Sequence, residues 1–305
     1  MTTVLNAVTG ATGYTGKYIA RLLIEKGEKV INLTGHPGRV NPFGDQVESF
    51  PFNFDDPDRL VKSLEGVGTL YNTYWVRFPY GDMTYDKAVE NSTKLIDAAE
   101  KAGVKRIVHI SIANASYDST LPYYRCKAEL EDYIKDSRLT YAIIRPTVLF
   151  GKEDILINNI AWLLRHFPVF GIPGTGEYGI QPVHVEDVAE LAVDSGEKGD
   201  NFVIDAAGPE KYIFNELVSL VARSIGSRTI IIHVPAAVAL NFSSLAGIAV
   251  RDVLLTWDEV RGLIEGLLVS QNPSVCHTSF AGWLERNKNR VGTEYRSELK
   301  RHYRE

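Results

Sequence analysis

Cysteine is scarce in this chain of 305 residues: there are two, Cys126 and Cys276. One bridge is the most they could form, so a disulfide scaffold is excluded and a reducing cytoplasm is the expected setting. Basic excess is missing as well. Lys and Arg number 33 against 38 Asp and Glu, a formal net charge of −5. A protein that neutralises phosphates along a nucleic acid needs the opposite balance, so a nucleic-acid partner is not expected. Long apolar runs are lacking too. The most apolar stretch, 229–250, is interrupted by His233, Pro235, Asn241 and two serines. A spanning helix needs about 20 mostly apolar residues, so this stretch is expected to form a strand and then a partly buried helix, with membrane-surface contact as a minor alternative. No charged-then-apolar leader precedes the first strand-like run, and no internal repeat or low-complexity segment is present.

What is present is an alternation. Strand-like runs at Val4–Val8, Val30–Leu33, Thr69–Asn72, Arg106–Ile110 and Tyr141–Arg145 are separated by helical patterns at Thr15–Lys26, Pro57–Leu64, Tyr85–Ala102 and Tyr123–Lys135. Gly27 and Gly103 are the expected stops, and Asp56 with Pro57 the expected start of the second helix. Strands alternating with helices of this length predict a doubly wound α/β fold with a parallel sheet. After Gly151 the pattern loosens into helices at Ile155–Phe167, Val183–Ala192 and Phe214–Ile225, a strand at Asn201–Ile204 and a Gly/Pro-rich stretch at 171–176. The expected division is a Rossmann domain over 1–150 and a smaller mixed substrate region over 151–305, interleaved with the sheet. The basic C-terminal stretch Arg286–Arg304 is expected to be a solvated helix of paired charges.

The first strand runs into Thr9-Gly10-Ala11-Thr12-Gly13-Tyr14-Thr15-Gly16, which then opens a helix. A tight strand-to-helix turn needs residues without a Cβ clash, and a pyrophosphate must approach the backbone N–H groups at the positive end of the helix. Gly16 is placed to let the helix pack against the strand. In this context the motif predicts a nicotinamide-dinucleotide site formed by Gly10, Thr12, Gly13, Tyr14, Thr15 and Gly16. NAD sites usually carry a carboxylate after the second strand. Here the sequence is Leu33-Thr34-Gly35-His36-Pro37-Gly38-Arg39, without one. His36 and Arg39 are the nearby cations, and a planar guanidinium suits a 2′-phosphate, so NADP is preferred over NAD.

Tyr123 and Lys127 form a Y-x-x-x-K pair four residues apart, on one helix face. An ammonium beside a phenol lowers the phenol pKa and makes it a usable acid/base for hydride transfer.

The glycine spacing, close to T-G-A-T-G-Y-T-G-K, resembles the short-chain dehydrogenase/reductase superfamily in its extended and atypical branches. That resemblance implies that Lys127 also holds the nicotinamide ribose and that Ser111 polarises a substrate carbonyl. Asn91 matches a further commonly seen residue. Asn53, with Phe54, stands where relatives place an adenine-contacting Asp, and Gly35 where many place an arginine. The fourth strand usually ends in small residues beside the cofactor. Here Asn72 and Thr73 are followed by Tyr74 and Trp75, which would either line an aromatic substrate pocket or fill it. Arg145-Pro146-Thr147-Val148-Leu149-Phe150-Gly151 matches the family's R-P-x-x-x-x-G and places Pro146 near the cofactor, and Val185-Glu186-Asp187-Val188-Ala189 matches a later helix start. The resemblance runs over about 1–225. The segment 158–170 looks most like NmrA-like proteins and the accessory Rossmann subunit of respiratory complex I, branches in which the cofactor is often kept and activity is absent or unassigned. Nucleotide-sugar epimerases share the Arg145-Pro146 motif and the tyrosine–lysine pair. Two readings follow. One is an oxidoreductase or epimerase-like enzyme acting on an unidentified small carbonyl or alcohol. The other is a silent sensor or assembly partner, with a protein partner or a second copy of the chain. No metal site is expected.

Overall fold

The computed structural model describes residues 4–303. The first part of the chain lays down β1 (Leu5–Thr9), α1 (Tyr14–Glu25), β2 (Lys29–Thr34), β3 (Val47–Pro51), α2 (Pro57–Ser63), β4 (Val67–Asn72), α3 (Tyr85–Ala102), β5 (Arg106–Ile110), α4 (Pro122–Asp136) and β6 (Thr140–Pro146). Then come β7 (Val148–Phe150), α5 (Leu156–His166), β8 (Val169–Pro173), β9 (Gly179–Ile180), β10 (Pro182–His184), α6 (Val185–Gly196) and β11 (Phe202–Ala206). The last stretch holds β12 (Tyr212–Ile213), α7 (Phe214–Ser224), β13 (Ile230–Val234), α8 (Ala236–Val250), α9 (Trp257–Ile264), α10 (Phe280–Asn287) and α11 (Glu298–His302).

Two compact units result, one from residues 1–146 with 185–206 and one from 147–184 with 207–305. The first holds a seven-stranded sheet in the order β11-β6-β5-β4-β1-β2-β3, each neighbouring pair parallel. Helices α2, α3 and α4 pack together over one face, while α1 and α6 cover the other. Burial on both faces explains why the central strands read as continuous apolar runs rather than alternating ones. β1 lies between β4 and β2, so the strand order reverses beside it. This is the crevice where open α/β sheets hold their ligands, at the carboxyl ends of the strands.

Local chemistry sets the boundaries. The Asp56 side chain accepts from the Arg59 N–H with Pro57 at the first helical position, and Thr84 caps α3 in the same way. α3 stops at Gly103, whose φ of +80° is left-handed. The Rossmann unit is therefore the α/β fold that the alternation predicts. Strand β3, absent from the periodicity, pairs with β2 through Val30↔Val47 to Thr34↔Pro51. Only its first residue, Val47, is buried, which is why its pattern is weak.

The second unit has its own core, in which Phe150, Ile160, Leu164, Ile172, Leu217, Phe280 and Trp283 pack together. Its strands form two-stranded pairs, β7 with β10, β9 with β12 and β8 with β13. The basic C-terminal stretch corrects its expectation. It is not one solvated helix: α10 ends at Asn287, turns follow, and α11 begins only at Glu298. Gly292 has a φ of +68°, and a Cβ there would lie 2.5 Å from the Trp162 nitrogen. The chain turns inward at this point, burying Val291 and Leu299. Arg304 lies outside the described residues.

Gly16 tests the fold most directly, because a Cβ there would sit 2.3 Å from the Gly10 carbonyl oxygen and 2.9 Å from that of Thr9. Gly16→Ala should push α1 off the sheet and cost about 1–3 kcal/mol, the usual range for overpacking. A denaturant titration should show a lower midpoint with an unchanged slope.

Candidate functional site

The glycine turn is built around backbone contacts that leave no room for side chains. Gly10 has a φ of +65°, and its N–H donates to the Leu33 carbonyl at 2.8 Å. The Gly13 N–H donates to the Gly10 carbonyl at 2.7 Å, and a Cβ on Gly13 would stand 3.0 Å from that oxygen. The Ala11 N–H donates to the buried Asn32 side chain at 2.8 Å. α1 then begins at Tyr14 with Gly13 as its N-cap, no side chain caps it, and its first turn holds no acid. The start of α1 thus carries no side-chain cap and no acid of its own, the arrangement that suits a pyrophosphate at the positive end of the helix dipole. Thr12, Tyr14 and Thr15 are half-buried in this turn.

Thr9 ties the turn to the end of β4. The Thr73 N–H donates to Thr9 Oγ1 and the Thr73 hydroxyl to the Thr9 carbonyl, both at 2.6 Å, while Thr9 Oγ1 donates to Asn72 Oδ1 at 3.2 Å. The fully buried Asn72 also accepts from the Tyr74 N–H at 3.1 Å, and its Nδ2 donates to His109 Nδ1 at 3.2 Å. Because Asn72 Nδ2 can only donate, His109 Nδ1 must accept, which places the proton of the neutral ring on Nε2. That ring stays neutral, since burial and the nearby Lys127 hold its pKa well below the usual value. Its Nε2 has no hydrogen-bond partner among the described residues.

Past β3, Asn53 adopts a φ of +48°, between Phe52 and Phe54, whose rings stack at 4.8 Å. The Tyr74 ring packs against both, at 5.0 and 5.3 Å. Asn53, Phe54 and Tyr74 therefore share one aromatic-walled corner. His36 and Arg39 lie half-buried on the loop after β2, where the Arg39 N–H donates to the His36 carbonyl at 3.1 Å.

The expected tyrosine–lysine pair does sit on one helix, α4, and both members contact the same indole, that of Trp75. Lys127 Nζ lies 4.2 Å from the centre of the Trp75 ring, and the Tyr123 ring meets the same indole edge-on at 6.0 Å. Tyr85 stacks on Trp75 at 6.4 Å and meets Tyr123 at 5.6 Å. Trp75 Nε1 is buried and has no hydrogen-bond partner among the described residues. The Lys127 amine is fully buried and donates to the Ile110 carbonyl at 3.0 Å. Desolvation brings its pKa down to about 7, and the charge of Glu131 only partly offsets this.

Ser111 is also buried, and its hydroxyl donates to Glu131 Oε1 at 2.5 Å. The same carboxylate accepts from Arg145 Nε at 2.9 Å and from Arg145 Nη2, a bidentate pair of the geometrically specific kind. Asn91 uses its Nδ2 to donate to the Tyr74 hydroxyl at 3.0 Å. Pro146 is buried, and its carbonyl accepts from the Ala113 N–H at 2.9 Å. Among the described residues no cluster of three or more His, Cys, Asp or Glu is placed to hold a metal ion.

The structure thus gathers the turn with Asn72 and Thr73, and gathers Asn53 and Phe54 with Tyr74. Tyr123 and Lys127 it brings against the one indole of Trp75. Ser111 is drawn to Glu131. Sequence reasoning missed three members of this site, Thr9, His109 and Glu131. Glu131 carried a signal, since it falls four residues after Lys127, on the same face of α4.

Against known proteins, the profile of the NAD(P)H-binding family matches residues 10–195. Subunit 9 of the NADH dehydrogenase (ubiquinone) 1 alpha subcomplex, mitochondrial, from Arabidopsis thaliana is 23% identical over 290 residues, 88% of this chain and 72% of the relative. The photosystem II assembly factor Ycf39 of Guillardia theta is 27% identical over 248 residues, 79% of this chain and 76% of the relative. Among solved structures, the triphenylmethane reductase of Citrobacter sp., complexed with NADP(H), superposes with a TM-score of 0.69 at 20% identity, covering 94% of this chain and 99% of the reductase.

Lys127 supplies the pH test of this geometry. Its folded pKa of about 7 lies below the ordinary lysine value of 10.5, so burial penalises folding fully below pH 7. The penalty fades as pH rises from 7 toward 10.5, where the folded state has already released the proton. Lys127→Met should therefore gain stability relative to wild type at pH 6, and that advantage should shrink by pH 10. Paired thermal melts at the two pH values check this.

The glycine turn, the match over most of the first unit and the likeness of fold converge: the chain belongs to the NAD(P)H-binding family, within the atypical and extended short-chain dehydrogenase/reductase superfamily.

Proposed function

We propose that this protein uses NAD(P)H as a bound structural or sensing ligand and works through a protein partner, without turning over a carbonyl substrate. The observation that carries this reading is the hydroxyl of Ser111. It donates to a carboxylate already paired with Arg145, so its proton is committed to a charge-assisted bond rather than to a substrate oxygen. The packing of Trp75 against both Tyr123 and Lys127 supports the same reading, since the indole takes up surface of the pair that a substrate would need. The named relatives, a subunit of a respiratory dehydrogenase and a photosystem assembly factor, motivate a role in a larger complex.

The dinucleotide would lie across the glycine turn, with its pyrophosphate at the start of α1 and its adenine near Asn53 and Phe54. Arg39 and His36 would meet a 2′-phosphate, which favours NADP. Lys127 would meet the nicotinamide ribose only after Trp75 moves. A bound nicotinamide can donate hydride, and one observation favours the enzymatic alternative: burial brings the Lys127 pKa down to about 7, the range of a lysine that itself moves a proton.

Titration with NADPH and NADH, followed by tryptophan fluorescence, should show binding that Trp75→Phe alters in amplitude. Arg39→Ala should weaken NADPH roughly tenfold, about 1.4 kcal/mol, and leave NADH nearly unchanged. A panel of aldehydes, ketones and nucleotide sugars should give no turnover. Turnover that disappears in Tyr123→Phe would establish the enzyme reading instead.

A further inference from the structure

The second unit carries an outward face whose composition is unusual for one that meets water. Strands β8 and β13 pair in parallel, Val169 opposite Ile230 and Gly171 opposite Ile232. Phe170 and Ile172 point into the core of the unit, with Ile231 packed against it. The alternate positions look outward, and a sheet with one wet face normally places polar side chains there. Instead Ile230 is 64% exposed, Val169 45% and Ile232 40%, with Phe167 just before β8 also exposed. Single exposed apolar side chains are ordinary, but a contiguous patch marks a site of contact.

Helix α8 follows directly. Its fifteen residues, Ala236–Val250, include only three polar ones, Asn241, Ser243 and Ser244. The other twelve are apolar or glycine, so the helix is predominantly apolar in sequence. It packs on β8, yet Ala237 and Asn241 are exposed, so its outer side is in reach of whatever covers the patch. A helix so apolar in sequence belongs in a core or in lipid. Among the described residues no helix is long and apolar enough to cross a membrane. At 1.5 Å per residue α8 extends about 22 Å, short of the roughly 30 Å hydrocarbon core. An apolar stretch too short to span is read as a core helix or an interfacial one, and the exposed patch beside it favours the second.

Charge selects among occupants. Residues 229–250 contain no Asp, Glu, Lys or Arg, and the run is bounded by Arg228 and Arg251, with Arg223 one turn earlier. Arg223 and Arg228 are exposed. Asp252 contributes no outward charge, because its carboxylate is buried and accepts from Tyr295 Oη and from the Glu298 and Leu299 N–H groups. Along the chain the run is therefore uncharged in its middle and cationic at its ends, in a protein whose net charge is −5. Long arginine stems can bury their methylenes while the guanidinium stays among headgroups. A second copy seated on the same patch would bring like charges together.

We propose that this face is a membrane-surface docking site, in which Phe167, Val169, Ile230, Ile232 and α8 enter the headgroup boundary of an anionic bilayer and the flanking arginines meet lipid phosphates. The site is independent of the dinucleotide and of whether the protein is an enzyme.

Flotation of the full chain with vesicles tests it. The protein should float with equimolar phosphatidylcholine and phosphatidylglycerol and much less with phosphatidylcholine alone, and raised salt should weaken the binding. Ile230→Ser with Ile232→Ser should reduce the bound fraction at least tenfold. Arg228→Glu changes an exposed position outside the sheet, so it should fold normally, and it should weaken binding to the anionic vesicles specifically. Failure to float with either vesicle, or floating unaffected by the isoleucine changes, overturns the proposal. So does a vesicle-independent dimer that Ile230→Ser with Ile232→Ser dissolves, which would make the occupant a second copy.

Discussion

The close approach of α1 to the end of β1 sets the rest of the first unit. Gly16 rests against the carbonyls of Gly10 and Thr9 at a distance no Cβ could tolerate. This contact fixes where α1 starts and where its N-terminal N–H groups point. Gly10 reaches across to Leu33 of β2, and Thr9 reaches to Asn72 and Thr73 of β4. Three adjacent strand ends are thereby held around one helix terminus. Pre-organisation of this kind lets backbone amides bind an anion without paying to rearrange first.

Beside that rigid half, the half that would carry chemistry is differently built. Lys127, Trp75, Tyr123 and Tyr85 form a closed contact, and Ser111, Glu131 and Arg145 form another. Each is satisfied mostly from within. The exceptions are polar atoms left over at its edge, Trp75 Nε1, His109 Nε2 and Asn91 Oδ1, which have no hydrogen-bond partner among the described residues. Buried polar atoms without partners cost stability, and such costs tend to persist where a ligand or a movement offsets them. Trp75 Nε1 is one of them, and with Tyr123 and Lys127 packed on the same ring that indole is the element whose position would separate a binding site from a working one.

Much of this was legible in the chain. Gly103 ends α3 and Asp56 with Pro57 starts α2 because caps and stops are local chemistry, written within a few residues of where they act. The glycine turn was legible for the same reason. Strand β3 was not, because only one of its five residues is buried and its pairing with β2 is set by a neighbour rather than by its own pattern. The C-terminal stretch misled because its charges suggest a solvated helix, while Gly292 turns the chain inward against Ala161 and Trp162, far away in sequence.

The site divides along the same line. Sequence by itself determined the dinucleotide-binding turn, the parallel α/β class and the presence of Tyr123 and Lys127 on one helix face, all of which depend on residues close together in the chain. Tertiary structure decided what those residues face. Trp75 follows the end of β4 and packs against both Tyr123 and Lys127 of α4. Glu131 of α4 captures Ser111 from the end of β5 with the help of Arg145 from β6. Contacts between elements 14 to 52 residues apart leave no periodicity to read, so whether a tyrosine–lysine pair is armed or covered is settled only when the sheet assembles.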